Sequence, residues 1–217
     1  LASEETGLKN LARGLSYEVS TPPRDVWEDT DNKELTDGVY GKKDFTDPAW
    51  QGHHRADEAG QTRTISFDLG SPKSIKRISA NYLHAPEAGI RFPTKTIIEV
   101  SGDGENWVEL STVLTKKTLG YEYTATQRFF WDGYEDGIPG QPVEANMVYA
   151  QYVRLKFEID APWVFIDEVE IWGIDGKTNN AVDVITLNSV TAIEQERIDQ
   201  FSIDGMENLS RDMKYDI

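Results

Sequence analysis

Cysteine is absent from the 217 residues, so no disulfide holds the fold and no thiolate binds metal or does chemistry. That absence suits a cytosolic protein and equally a bacterial extracellular one that manages without bridges. Histidine is scarce: with three His and no Cys, most nucleophile-plus-base arrangements lack parts. Positive charge is also short, 22 Lys and Arg against 38 Asp and Glu, for a formal net charge of −16. A nucleic-acid backbone or an anionic membrane calls for clustered Lys and Arg, so neither is the main partner. No apolar run approaches a membrane span, and no signal-peptide pattern opens the chain at "LASEETG". Nucleophile elbow, Gly-rich phosphate loop and zinc spacing are all missing.

What is present is a β texture. Hydrophobic residues make up 38% and aromatics 11%, enough for a real core. The cleanest signal is "YVRLKFEI", where Val153, Leu155, Phe157 and Ile159 alternate with charged residues. Such a strand puts one face in a core and the other in water. Ile65, Phe67 and Leu69 alternate likewise, as do Ile78, Ala80 and Tyr82, then Ile98 and Val100, then Val169 and Ile171. Between them lie turn-rich clusters: "DLGSPKS", "HAPEAGIRFP", "SGDGENW", "WDGYEDGIPGQP" and "IDAPW". Many short strands with such connections predict an all-β, antiparallel sandwich or jelly roll. After "EIWGIDGK" the tryptophans cease and apolar spacing turns irregular. The division expected is a module over residues 1–175 and an extension over 176–217, a linker or the start of a following domain. That extension is expected to bury little apolar surface.

Several stretches, taken in order, resemble a known family. "NLARGLSYEVS", "ELTDGVYG" before "DPAWQG", "ISFDLGSPKSIKRI", "TKTIIEVSGDGENWVEL", "AQYVRLKF" and "FIDEVEIWG" look like the discoidin-like, coagulation factor 5/8 type C domain. The chain is similar in the same way to the family 32 carbohydrate-binding modules. The resemblance runs from residue 8 to 173. It implies a galactose-binding-domain-like jelly roll, usually secreted or surface-attached in bacteria, often beside glycoside hydrolase domains. It also implies that "SGDGENW" is a hairpin with Trp107 returning to pack in the core. Asp103-Gly104 is a hairpin signal by itself.

Many relatives of this kind carry one structural Ca²⁺, and the resemblance maps its ligands to Asp37 and Glu168. The carbonyls of Leu35 and Tyr40 are further candidates, with Asp47 from "FTDPAW". Ca²⁺ takes about six to eight oxygens in flexible geometry, and an acidic loop gains order from it. The alternative is that Asp37 only makes an Asx turn before Gly38. The insertion "VYGKKDF" departs from the family's shorter loop.

For carbohydrate, the resemblance implies a shallow site on loops at one end, an aromatic with His and Arg. Matching positions are His84, Arg91 and Trp163, with Tyr82 and Trp131 next. Trp163 either packs beneath the last strand or meets a ligand. Arg91 either reaches a sugar or pairs with Glu87. In "HHR", adjacent His53 and His54 point apart in extended chain, which argues for a solvated or sugar-edge loop rather than a metal site. Glycoside hydrolysis needs two carboxylates flanking one bond. Asp167 and Glu168, adjacent on a strand, face opposite sides and cannot act together. The reading is a non-catalytic, carbohydrate-binding module of a larger protein, extracellular or at the bacterial cell surface. A structural domain packing on adjacent domains is the alternative.

Overall fold

The computed structural model describes residues 7–56, 61–115, 123–187 and 193–197. Among these there are eleven strands, short 3-10 turns and no α-helix. The organising element is β4 (Thr62–His84), which serves both layers of a sandwich. Its first half pairs with β2 (Glu18–Val19) and β8 (Met147–Glu158). β8 in turn pairs with β5 (Lys95–Ser101), and β5 with β6 (Trp107–Thr115). The second half of β4 lies between β7 (Ala125–Asp132) and β9 (Trp163–Asp175). β9 also carries β1 (Lys9–Asn10) and β3 (Gln51–His54).

"DLGSPKS" therefore does not separate two strands. It lies inside one strand, where register shifts between Asp68 and Ser74 and Gly70 adopts φ +76°. A bulge of this kind bends the strand and hands it from one layer to the other.

The alternation expected for β8 is borne out: Val153, Leu155 and Phe157 are fully buried, as is Ile159 just beyond it. Phe157 meets Tyr82 across the layers with centroids 5.8 Å apart, and Tyr82 meets Phe129 at 5.1 Å. Each such side chain contributes about 1.5–3 kcal/mol by leaving water. A second cluster of Trp50, Leu83, Ala85, Ile90 and Phe165 fills one end of the sandwich, with Trp27 and Trp163 packed against it.

Packing does not break at 175/176. β10 (Ala181–Asp183) adds parallel to β8, and the turn Val184–Leu187 sends Val184 and Leu187 into the main core. β11 (Ile193–Arg197) runs parallel to β6. The extension is thus part of the sandwich at least this far, and the rest of it lies outside the described residues.

The "SGDGENW" hairpin joins β5 to β6. Asp103 Oδ1 accepts from the amides of Glu105 at 2.9 Å and Asn106 at 2.7 Å, and Gly104 takes φ +79°. These bonds hold the Asp103 carboxyl well below the usual carboxylate range. Its acid is occupied by the turn, with nothing left for a metal loop. Trp107 departs from expectation: it is half-buried on the outer face, with the Arg154 guanidinium 3.9 Å over its ring.

Candidate functional site

At the end capped by the second core cluster, three segments converge on Trp163. It opens β9 and faces His54 across the β3–β9 ladder. On its other side the chain bridges to Ile90, and the Arg91 amide donates to the Trp163 carbonyl at 3.1 Å. Trp27 closes the group, its ring 5.2 Å from Trp163 and 5.1 Å from Phe165. Gly52 is what permits this, because a Cβ there would stand 2.9 Å from Phe165 and 3.1 Å from Trp27.

Trp163 is neither sealed in the core nor fully in solvent; it is half-buried, packed against the second core cluster. Arg91 is exposed and no ion pair joins it to Glu87, whose carboxylate accepts from Thr124. Arg55 is exposed nearby, its Nη1 donating to the Asp160 carbonyl at 2.9 Å. His54 Nδ1 accepts from the Ala56 amide at 3.1 Å and contacts Arg24 Nη1 at 3.3 Å. An accepting Nδ1 puts the ring proton on Nε2, which makes that nitrogen a donor.

The other expected aromatics are elsewhere. Tyr82 and Trp131 are 0% exposed, Tyr82 between Phe129 and Phe157, and Trp131 with Nε1 donating to the Gly137 carbonyl at 2.9 Å. His84 is buried against Phe92. None of the three offers a face to a ligand, because β4 and β7 turn those residues inward. In their place come His54, Arg55 and Trp27. The sequence signal for His54 was present: its neighbour His53 packs on Phe157 at 5.4 Å, and the alternation turns His54 to the other side.

The expected calcium loop lies against β9. Glu168 Oε2 accepts from the Gly38 amide at 2.9 Å, and Asp167 Oδ2 accepts from Gly41 at 2.7 Å. Both acids hold the same loop, although they are adjacent. Register shifts between Asn81 and Tyr82, so Asp167 is the extra residue of a bulge and the strict alternation fails there. Burial pushes Asp167 up to about 6, against hydrogen bonds from Asn81 and Gly41. It pushes Glu168 up to about 8, with Asp37, Glu170 and Asp167 adding repulsion.

Glu168 Oε1 is buried with no hydrogen-bond partner among the described residues, an arrangement that an ion would relieve. Asp37 is exposed and makes the Asx turn, accepting from Val39 at 2.7 Å. Asp47 accepts from Ala49 and, at 3.4 Å, from Lys42 in its own turn. Leu35 is a core side chain, and Tyr40 donates its hydroxyl to Glu170 at 2.6 Å, so either would serve only through its carbonyl. Among the described residues no three His, Cys, Asp or Glu side chains gather as a metal group. A cation here fits Glu168 and Asp37 only with backbone carbonyls completing the shell.

A family model described as F5/8 type C domain matches residues 19–169. Solved structures similar to the chain include chitosan-binding module 1 of a chitosanase/glucanase from Paenibacillus sp. IK-5. It is 19% identical over 76% of this chain and 99% of that one, with a TM-score of 0.46. CpGH89CBM32-5 from Clostridium perfringens, solved with GalNAc-β-1,3-galactose, is 17% identical over 75% of this chain and 99% of that one, TM-score 0.45. Allantoicase from Saccharomyces cerevisiae is 18% identical over 76% of this chain and 43% of that one, TM-score 0.47. No curated protein matches.

Proposed function

The chain belongs to the F5/8 type C domain family, and on that footing we propose that it is a non-catalytic carbohydrate-binding module of a larger secreted or surface-associated bacterial protein. The observation that carries this is the half-buried Trp163, braced by Trp27 and His54, with exposed Arg91 and Arg55 in the adjoining segments. An amphipathic ring offers apolar contact to the C–H face of a sugar. Two exposed guanidiniums and the His54 Nε2–H donate to its hydroxyls, each charged bond worth about 1.5–3 kcal/mol. Weak binding of an oligo- or polysaccharide is the reading proposed for this site.

Catalysis is not part of this reading. The acids with raised proton affinity, Asp167 and Glu168, are buried and committed to the 38–41 loop. A structural Ca²⁺ belongs to the proposal, held by Glu168, Asp37 and the carbonyls of Leu35 and Tyr40. Its support is the orphaned Glu168 oxygen. The ion would neutralise that carboxylate and fix the loop.

A glycan array on the full chain, with Trp163→Ala beside it, tests the function. Binding to a restricted set of glycans, lost in the variant, is expected. Wild-type protein silent on plant, host and wall polysaccharides would overturn it in favour of a domain that packs on its neighbours.

A further inference from the structure

Away from the loop end, the outer face of the other layer holds a cleft of about 510 Å³. Cross-strand pairing builds it. One row runs Glu18, Ser66, Arg154 and Glu99; the next runs Asp68, Tyr152, Ser101 and Trp107. Directly opposed residues share a face of a sheet, so both rows look outward, with Phe67 and Tyr17 at the floor.

Arg154 is fixed before any ligand arrives. Its Nε donates to Glu99 at 2.7 Å and its plane lies over Trp107, leaving Nη1 and Nη2 without a hydrogen bond to a described residue. Asp68 commits Oδ1 to Gly70 and Gln151, while Oδ2 has no hydrogen bond to a described residue. The Glu18 carboxylate and the Ser66 hydroxyl are unpaired among the described residues. The Tyr152 ring, half-buried against Gly104, supplies the apolar wall. A locked guanidinium fork, two acceptor carboxylates and an aromatic wall in one concavity match a site for a hydroxyl-rich ligand. Glu99 is shared by Arg154 at 2.7 Å and Lys156 at 3.0 Å, and Glu18 and Asp68 outweigh the cation left over, so the cleft favours an uncharged ligand over carboxylates, sulfates and phosphates.

We propose that this cleft is a second carbohydrate subsite, taking an uncharged hexose unit of the same polysaccharide that the loop end holds. The proposal rests on the carbohydrate-binding reading above. The stretch Thr62–Asp68 of β4 leads from the loop end to the cleft, about 20 Å at about 3.3 Å per residue. One mono- or disaccharide cannot bridge that, whereas a polymer can. Engaging both sites makes the second contact intramolecular and raises affinity without any new bond.

The test uses the full chain. Galactose, glucose and N-acetylglucosamine, then soluble galactan and glucan, are titrated into ¹⁵N-labelled protein, with the indole signals of Trp107 and Trp163 as reporters. Both are expected to shift with at least one monosaccharide. Arg154→Lys keeps a cation for Glu99 but loses the fork; Glu18→Gln with Asp68→Asn keeps shape and loses charged acceptors. Each should cut polymer affinity roughly a hundredfold while monosaccharide affinity at Trp163 is unchanged. Polymer affinity equal to wild type in both variants, or a Trp107 signal that never moves while Trp163 responds, overturns the subsite. A cleft response alone keeps it and overturns the loop-end reading. Silence at both indoles overturns the two together.

Discussion

Trp163 and His54 stand directly opposite each other on paired antiparallel strands, and their rings meet edge to face with centroids 4.5 Å apart. With Trp27 and Phe165 it is one of three ring contacts that brace the half-buried indole. Trp163→Ala should abolish glycan binding while costing less than the about 3–5 kcal/mol of a fully buried Trp. Thermal melts and affinity measured on the same sample check this. A collapsed melt would assign the ring to the core.

Arg91 is exposed and carries its charge without an acid partner at Glu87. Arg91→Ala should weaken binding by roughly ten- to a hundredfold, the equivalent of one charged hydrogen bond of about 1.5–3 kcal/mol. The fold should not notice, since exposed substitutions usually stay within about 0.5 kcal/mol. Calorimetric titration with the array's best ligand reads the first effect and a melt the second.

The buried aromatics should behave in the opposite way. Trp131→Ala removes a fully buried ring together with its bond to Gly137, and Tyr82→Ala opens a hole between Phe129 and Phe157. Each should cost about 3–5 kcal/mol. Denaturant midpoints give the answer; glycan affinity of whatever protein remains folded should match wild type.

Removing the chain after Lys177 should destabilise the sandwich, because Val184 and Leu187 leave the core with it. Leu187→Ala alone should cost about 2–5 kcal/mol by creating a cavity. Equal urea midpoints for full-length and truncated protein would show that the segment contributes nothing.

If Ca²⁺ occupies the loop, stability rises by RT ln(1 + [L]/Kd), about 2.7 kcal/mol at a hundredfold excess over Kd. Chelation should lower Tm, and Asp37→Ala should remove the response to added Ca²⁺. Glu168→Gln should remove it too, while also relieving the cost of a buried carboxylate that binds its proton up to about pH 8. A melt unaltered by thorough chelation and by added Ca²⁺ rejects a stoichiometric ion.

Composition and alternation alone determined that this is an all-β protein, where β8 turns its core face, and that Asp103-Gly104 makes a hairpin. These are local properties: a period of two and a positive φ are set by neighbours in sequence. The same alternation placed Tyr82 in phase with Ile78 and Ala80, on the core face and not at a loop end. Tertiary structure decided the rest. Whether a half-apolar strand end is covered depends on segments far away in sequence. Trp27 arrives to brace Trp163, Phe130 lies outward while Trp131 goes in, and residues 181–187 return to close the core. A one-residue bulge at Asp167 turns two adjacent acids toward one loop, and no period of two can announce it. Such features follow from which strands pair and where their register slips, a choice made by burial summed over the whole sandwich rather than by any single stretch of chain.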